Sequence, residues 1–387
     1  MSENSPTLTL GTALFPVVVL ITLLGFNVSV FGDDALGGSN QFILLIGAAV
    51  AAVIGFRKKV SYKAMMEAIG TNLKATTGAV LTLLFVGALA GTWLVSGIIP
   101  AMIYYGLQLI HPSIFLPACV IICAILSIAT GSSWTTSATV GIALIGIGKA
   151  LGLPVGMVAG AVISGAYFGD KLSPLSDTTN LAPAMAGGDL FTHIRYMTYT
   201  TIPSISITLV IFIFLSFFQT PSGQADIEQM LGAIENKFTI NLWLFLVPLT
   251  VIFLIIKKSP PLIALLLGTL LGGLFTILFQ SQLLLELSNT SILNSTTTYK
   301  TLLNTITTET IIETENELLN DLFTSGGMGG MLGTIWLIIC AMVFGGVMDA
   351  IGALERISHA LLQWAKSTLQ LFASTVISCI TINISAS

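Results

Sequence analysis

The sequence contains very few charged residues. Asp, Glu, Lys and Arg make up 8% of its 387 residues, whereas 54% are hydrophobic. Soluble domains carry about 25% charged residues. Because so few charges cannot cover a surface that faces water, most of this surface must face lipid. The composition therefore excludes an ordinary soluble domain and predicts a membrane protein.

The sequence has only four cysteines and lacks common catalytic motifs. The four cysteines all lie inside apolar runs, which argues against a disulfide framework or a metal cluster. No HExxH, GxSxG or phosphate-loop motif occurs. An aspartyl intramembrane protease needs two aspartates on facing helices, whereas Asp170 and Asp177 lie in one short segment. We therefore expect no enzyme, no cofactor and no nucleic-acid partner.

Long apolar runs predict the fold. The first run follows MSENSPTLTL, which lacks the basic region of a signal peptide, and it is too long for a signal sequence. Runs that could cross about 30 Å of hydrocarbon cover residues 8–31, 42–56, 75–99, 114–130, 197–218, 242–256, 261–280, 330–350 and 368–384. We predict an all-α polytopic membrane protein with about nine transmembrane helices.

Basic residues orient these spans. The loop before the second span contains Asp33 and Asp34 and no base, whereas the loop after it is basic. Its basic residues are Arg57, Lys58, Lys59, Lys63 and Lys74. By the positive-inside rule this loop and the N-terminus are cytoplasmic. We expect a multi-pass protein in the cell (inner) membrane of a bacterium, with the lipid bilayer as its partner, and leave a homo-oligomer open.

The segment 134–169 needs a different structure. When the orientation of the spans is counted along the chain, both ends of this segment lie on the cytoplasmic side. The segment must therefore leave that side and return to it. Its arms, Trp134–Lys149 and Pro154–Gly169, are each about 16 residues, or about 24 Å as helix. Because this is short of a full crossing, the pattern favours a re-entrant hairpin or a pair of broken helices over two spans.

The stretch 130–195 concentrates hydroxyls, glycines, prolines and two aspartates in an otherwise apolar chain. Uncompensated polar groups at membrane depth cost several kcal/mol each, roughly, so broken backbone survives there only when it is buried in protein or lines a watery cavity. We therefore interpret this stretch as the substrate site of a transporter.

The motifs in this stretch resemble a known family. They read GSSWTTSATVGIALIGIG, then ISGAYFGDKLSPLSDTTNLAPAMAGGDLFTHI, then YTTIPS. This long, non-periodic pattern, about a fifth of the chain, resembles the NhaC-type sodium/proton antiporters of the ion-transporter superfamily. The resemblance implies secondary transport. The family includes sodium/proton exchangers and members that exchange malate for lactate, coupled to protons and sodium, and the resemblance does not choose between them.

The residue types in this stretch suit a sodium ion. Sodium is a hard cation, and sites for such ions use carboxylate, hydroxyl, amide and backbone oxygens. Pro174 prevents a regular helix and frees carbonyl groups. We predict that Asp170 and Asp177 bind the transported sodium as the charged ligands. The other candidate ligands are Ser173, Ser176, Thr178, Thr179 and Asn180, together with Ser132, Ser133, Thr135, Thr136 and Ser137 at the start of the hairpin.

Simpler interpretations remain open for several of these residues. Asp170 could pair with Lys171, or Asp177 could cap a helix. Lys171 either tunes Asp170 or extends to the lipid headgroups. Asp349 and Glu355, which flank Gly352, are either site residues of a second half or parts of a solvated helix end.

An inverted repeat is the expected architecture. A shift of 255 residues (333 − 78) aligns three glycines, Gly78, Gly91 and Gly97, with Gly333, Gly346 and Gly352. The first segment runs from inside to outside and its partner from outside to inside, as an inverted repeat requires. Ser132 falls on Ser387, so we expect the second repeat to be incomplete in this chain, and the resemblance agrees.

We divide the chain into five regions. They are an N-terminal pair of spans (1–57), a first repeat with the hairpin and polar motif (58–218), a connecting pair of spans (219–280), a flexible polar extracytoplasmic loop (281–327) and the start of a second repeat (328–387). The function expected is sodium/proton exchange by alternating access. The alternatives are malate/lactate exchange, which would need a cavity arginine or a helix N-terminus for the carboxylate, and an inactive fragment.

Overall fold

The computed structural model describes residues 8–109, 112–174, 176, 179, 182–183, 188–218, 224–257, 259–314, 317–363, 367, 370, 373 and 375–376. Within these ranges the chain is almost entirely helical, and its two short strands form one antiparallel pair. The predicted all-α polytopic membrane fold is therefore confirmed.

The elements follow one another in this order. The helices are α1 (Leu10–Phe31), α2 (Ser39–Arg57), α3 (Tyr62–Val95), α4 (Ile98–Leu109), α5 (Phe115–Thr130), α6 (Ser133–Thr136), α7 (Ile142–Ala150), α8 (Val155–Leu172), α9 (Leu190–Phe217), α10 (Gln224–Lys237), α11 (Leu246–Ile256), α12 (Pro261–Phe279), α13 (Ser281–Ser288), α14 (Ser295–Thr307), α15 (Glu317–Leu322), α16 (Gly327–Gly330), α17 (Leu332–Ala350) and α18 (Ala353–Gln363). A π-helical turn, Ser137–Gly141, joins α6 to α7. Strands β1 (Thr310–Ile311) and β2 (Thr324–Ser325) pair antiparallel.

Six helical segments of the described chain are long and apolar enough to span a membrane: α1, α2, α3, α9, α12 and Gly327–Ala350. A seventh span results if Glu228–Lys237 and Leu242–Ile255, bent by 86°, count as one. Two of the nine predicted spans are not among them. The fourth forms α5, which has only 16 residues, and the run 368–384 lies almost wholly outside the described residues.

One compact unit contains the chain up to Leu83 and from Met331 onward. Gly47 lies against Phe344 and Gly55 against Ile351, so α2 and α17 run parallel. The end of α17 meets the start of α3, where Gly346 lies against the backbone of Ile69. These contacts bring the end of α2, the start of α3 and the end of α17 to the same end of the unit.

The second compact unit is Leu84–Gly330. Its core is built around Trp93, Phe115 and Phe323, each no more than 1% exposed. The Trp93 indole Nε1 donates to the Gly268 carbonyl at 3.2 Å, which joins α3 to α12. The α5 and α8 helices pack in parallel within this unit, and they position the site.

The polar segment 281–327 is folded, which corrects our expectation of a flexible loop. It contains α13, α14, the strand pair and α15. Leu283, Ile312, Leu319 and Phe323 are buried in the core of the second unit. The sequence obscured this because these few apolar anchors are widely spaced among threonines and acids.

Candidate functional site

Three helix ends meet around a group of buried hydroxyls. Gly131, which has a left-handed φ of 68°, follows the end of α5, and α6 begins two residues later at Ser133. Ser173, whose backbone is extended, follows the end of α8. Helix ends leave four backbone donors or acceptors without an intrahelical partner, so they are natural places for polar ligands. The buried polar residues of this region are Ser127, Ser133, Thr136, Thr139, Asp170, Ser173, Ser176 and Thr179.

Asp170 lies in the last turn of α8 and is 8% exposed. Among the described residues, it is the only ionisable side chain other than cysteine that is buried. The Ser133 hydroxyl donates to its Oδ2 across a long 3.5 Å. Ser133 also opens a helix, and the partial positive charge of a helix N-terminus favours an anion there. The carboxylate thus faces one hydroxyl and one helix start.

Hydroxyl groups donate hydrogen bonds to backbone carbonyls at the helix ends. The Thr179 hydroxyl donates to the Asp170 carbonyl at 2.9 Å and is 3.3 Å from the Lys171 carbonyl. The Ser173 hydroxyl donates to the Ile128 carbonyl, near the end of α5, at 2.7 Å. The backbone around Asp170 is therefore fixed by side chains from the polar motif itself.

The first arm of the predicted hairpin is helical, with a π-helical turn in it. Its π-helical turn, Ser137–Gly141, follows α6 directly. Such turns often occur at functional sites because they change the direction of side chains and carbonyls. At the far end of the arm, Gly148 packs against Phe115 and Val158. The hairpin thus runs alongside the whole of α5.

The described part of the chain brings most of the predicted ligands together. Asp170, Ser133, Thr136, Ser173, Ser176 and Thr179 are buried, and Ser132 is half-buried. Thr135 is described only as part of α6. Asp177, Thr178 and Asn180 lie outside the described residues.

Sequence reasoning missed two buried hydroxyls, Ser127 and Thr139. Ser127 was hidden in an apolar run. Its position one turn before Gly131, where α5 stops, is the signal that could have revealed it.

The other candidate charges lie in different surroundings. Asp349 and Glu355 are exposed and belong to the other compact unit. Lys171 is half-buried, and among the described residues no ion pair involves Asp170. Asp189 caps α9, and its carboxylate accepts a hydrogen bond from the Thr192 backbone N–H. This bond holds the pKa of the exposed carboxyl below its usual value.

A multi-pass helical protein with a buried carboxylate among hydroxyls and helix ends combines features that are typical of ion-coupled membrane transporters. Residues 165–387 match the model of the Na+/H+ antiporter family. The chain belongs to this family, as the resemblance of its motifs implied, and it is a multi-pass cell-membrane protein.

Several curated proteins are similar over most of the chain. The malate-2H(+)/Na(+)-lactate antiporter of Bacillus subtilis is 37% identical over 96% of this chain and 76% of its own length. The Na(+)/H(+) antiporter NhaC of Alkalihalophilus pseudofirmus is 36% identical over 88% and 71%. The arginine/ornithine antiporter ArcD of Halobacterium salinarum is 33% identical over 90% and 69%. No solved structure matches the chain.

Proposed function

We propose that this protein exchanges sodium ions for protons across the cell membrane, and that Asp170 is the carboxylate for which they compete. The observation that carries the proposal is the burial of Asp170 beside Ser133 at the junction of α5, α6 and α8. Membership in the Na+/H+ antiporter family supports sodium and protons as the transported ions, and the oxygen-rich surroundings suit a hard cation. Exchange of this kind needs no bound cofactor.

The cost of an empty, ionised carboxylate would couple the two ions. An aspartate at the centre of a helix in the bilayer costs about 2.5 to 3.5 kcal/mol, and each 1.4 kcal/mol is about a factor of ten in population. An unoccupied ionised site would therefore reorient roughly 100-fold less often than one neutralised by sodium or a proton. Because only the neutralised forms cross, sodium and protons move in opposite directions.

We further propose that the N-terminus is cytoplasmic. In the first unit the exposed bases Arg57, Lys58 and Lys59 end α2, and the start of α1 lies at the same end, since the Arg356 Nε of α18 donates to the Leu8 carbonyl at 3.0 Å. In the second unit Lys171 ends α8 and Arg195 begins α9. The positive-inside rule supports a cytoplasmic position for both sets.

Everted membrane vesicles provide the direct test. We expect added sodium to dissipate a respiration-generated pH gradient with the wild-type protein and not with Asp170→Asn, which cannot bind a proton and sodium alternately. Asp34→Asn makes the same chemical change at an exposed position and should behave like the wild type. An Asp170→Asn variant that is present in normal amounts and keeps the full sodium response would exclude the proposed site.

Exchange of organic anions is the second candidate. It is favoured by the malate-2H(+)/Na(+)-lactate antiporter, to which the chain is 37% identical over 96% of its length. A dicarboxylate would need a cationic partner, and the described surroundings of Asp170 offer Lys171 and no arginine. Vesicles loaded with malate separate the candidates, since a sodium response that requires internal malate would indicate the organic anion.

A further inference from the structure

Ser127 of α5 is fully buried and faces α8 rather than its own helix. Its hydroxyl donates to the Ala166 carbonyl at 2.5 Å. In an α-helix that carbonyl also accepts the backbone N–H four residues later, which here belongs to Asp170. Ser127 therefore contacts the carbonyl group that holds the backbone of the proposed ion-binding residue.

A second hydroxyl makes the reciprocal bond. Ser173, just after α8, donates to the Ile128 carbonyl of α5 at 2.7 Å. The two bonds reach α8 four residues before Asp170 and three residues after it. They fix the turn that carries Asp170 to α5 from both sides.

Two glycines make these bonds possible. A Cβ atom at Gly165 would lie 2.2 Å from the Val120 carbonyl oxygen, and one at Gly169 would lie 2.5 Å from the Ile128 nitrogen. The backbones of α5 and α8 are thus in direct contact, close enough for a short serine side chain to reach the neighbouring helix.

The Asp170 carboxylate itself is held much more weakly. Among the described residues, its side chain accepts the 3.5 Å hydrogen bond from Ser133. The position of the carboxylate relative to Ser133 and the start of α6 is therefore set through the backbone of α8.

We propose that Ser127 is a positioning residue for the ion site, because it holds the last turns of α8 on α5 so that Asp170 faces Ser133. This inference rests on the proposed function. Ion sites need their ligands held within about 0.5 Å, and loss of a partner that orients a ligand typically weakens metal binding by about 10- to 100-fold.

The Ser127→Ala variant separates positioning from a general role in folding. The Ala166 carbonyl keeps its helical hydrogen bond in this variant, so no buried donor is left without a partner. We expect the sodium concentration for half-maximal exchange to rise about tenfold, while the maximal rate at saturating sodium is retained. Ser127→Thr, which keeps the hydroxyl, should lie closer to the wild type.

Ser216→Ala is the matched control. Ser216 is also a buried serine, but its hydroxyl bonds to Phe212 within its own helix. Where the wild type responds to sodium, the proposal is overturned if Ser127→Ala and Ser216→Ala have the same sodium dependence. It is also overturned if the Ala and Thr variants of Ser127 are equally impaired, because packing rather than the hydroxyl would then be the cause.

Hydrogen exchange distinguishes a failure of this inference from a failure of the proposed function. In purified protein, the amides of residues 166–172 should exchange faster in Ser127→Ala than in Ser216→Ala, whatever ion is transported. If the wild type shows no sodium response in vesicles but this difference appears, sodium exchange is wrong and the positioning role stands. Equal exchange in the two variants would overturn the positioning role.

Discussion

Two segments of the chain share one local design and differ in what surrounds it. In the first, the 34-residue α3 is followed by a turn at Gly97 and the 12-residue α4. In the second, the 19-residue α17 is followed by a turn at Gly352 and the 11-residue α18. Both turn glycines are left-handed, with φ of 79° and 74°. These are the segments that the 255-residue shift aligns, and the repeat itself remains a prediction.

The other aligned glycines also share their surroundings. A Cβ atom at Gly91 would lie 2.1 Å from the Thr305 carbonyl oxygen, and one at Gly346 would lie 2.6 Å from the Ile69 Cα. Gly78 and Gly333, by contrast, have nothing within 4 Å of a Cβ atom. Within each aligned pair, the two glycines therefore agree in whether a backbone lies close to them.

The difference between the segments lies at the turn. Gly97 is enclosed by Gln280, whose amide Nε2 donates to the carbonyls of Ser96 and Thr239. Gly352 has nothing within 4 Å of a Cβ atom. Both turns therefore require glycine, whereas the packing around the glycine differs between the two segments.

The largest losses of stability are expected where a glycine lets a helix contact the backbone of another segment. We expect Gly91→Ala and Gly346→Ala each to lower the free energy of unfolding by about 3 kcal/mol, at the upper end of overpacking costs, because backbone atoms cannot move aside as a side chain can. Thermal unfolding of the purified protein in detergent measures both. A strong effect at only one of the two positions would break the correspondence between the segments.

Substitution of the two turn glycines should destabilise the protein by different amounts, with Gly97 the more sensitive. Left-handed backbone costs a residue other than glycine about 1 to 2 kcal/mol, so Gly352→Ala should destabilise by about that amount. Gly97→Ala should cost more, since its Cβ would lie 2.5 Å from the Gln280 Nε2 and would disturb hydrogen bonds to two carbonyls. The same unfolding assay applies, and equal losses at the two positions would show that Gln280 does not lock the first turn.

Much of the fold could be predicted from composition and run length, because a lipid-facing helix must be apolar along its whole length. The segment 281–327 could not, since Leu319 and Phe323 anchor it through tertiary contacts that leave no periodic pattern. At the site, the motif identified Asp170 and Ser173 by chemistry. Ser127 was missed because its role depends on the close approach of α5 and α8, which a linear sequence does not display.

The smallest changes in stability are expected at Gly78 and Gly333. Gly78 lies within α3 and Gly333 in the first turn of α17, and neither would place a Cβ atom near another group. Alanine is favoured over glycine in helices by about 0.5 to 1 kcal/mol. We therefore expect Gly78→Ala to stabilise slightly and Gly333→Ala to do so less, because fewer helical hydrogen bonds depend on a first-turn residue. A clear loss of stability at Gly78 would mean that a partner covers this face in the membrane, and the two segments would then differ along their helices as well as at their turns.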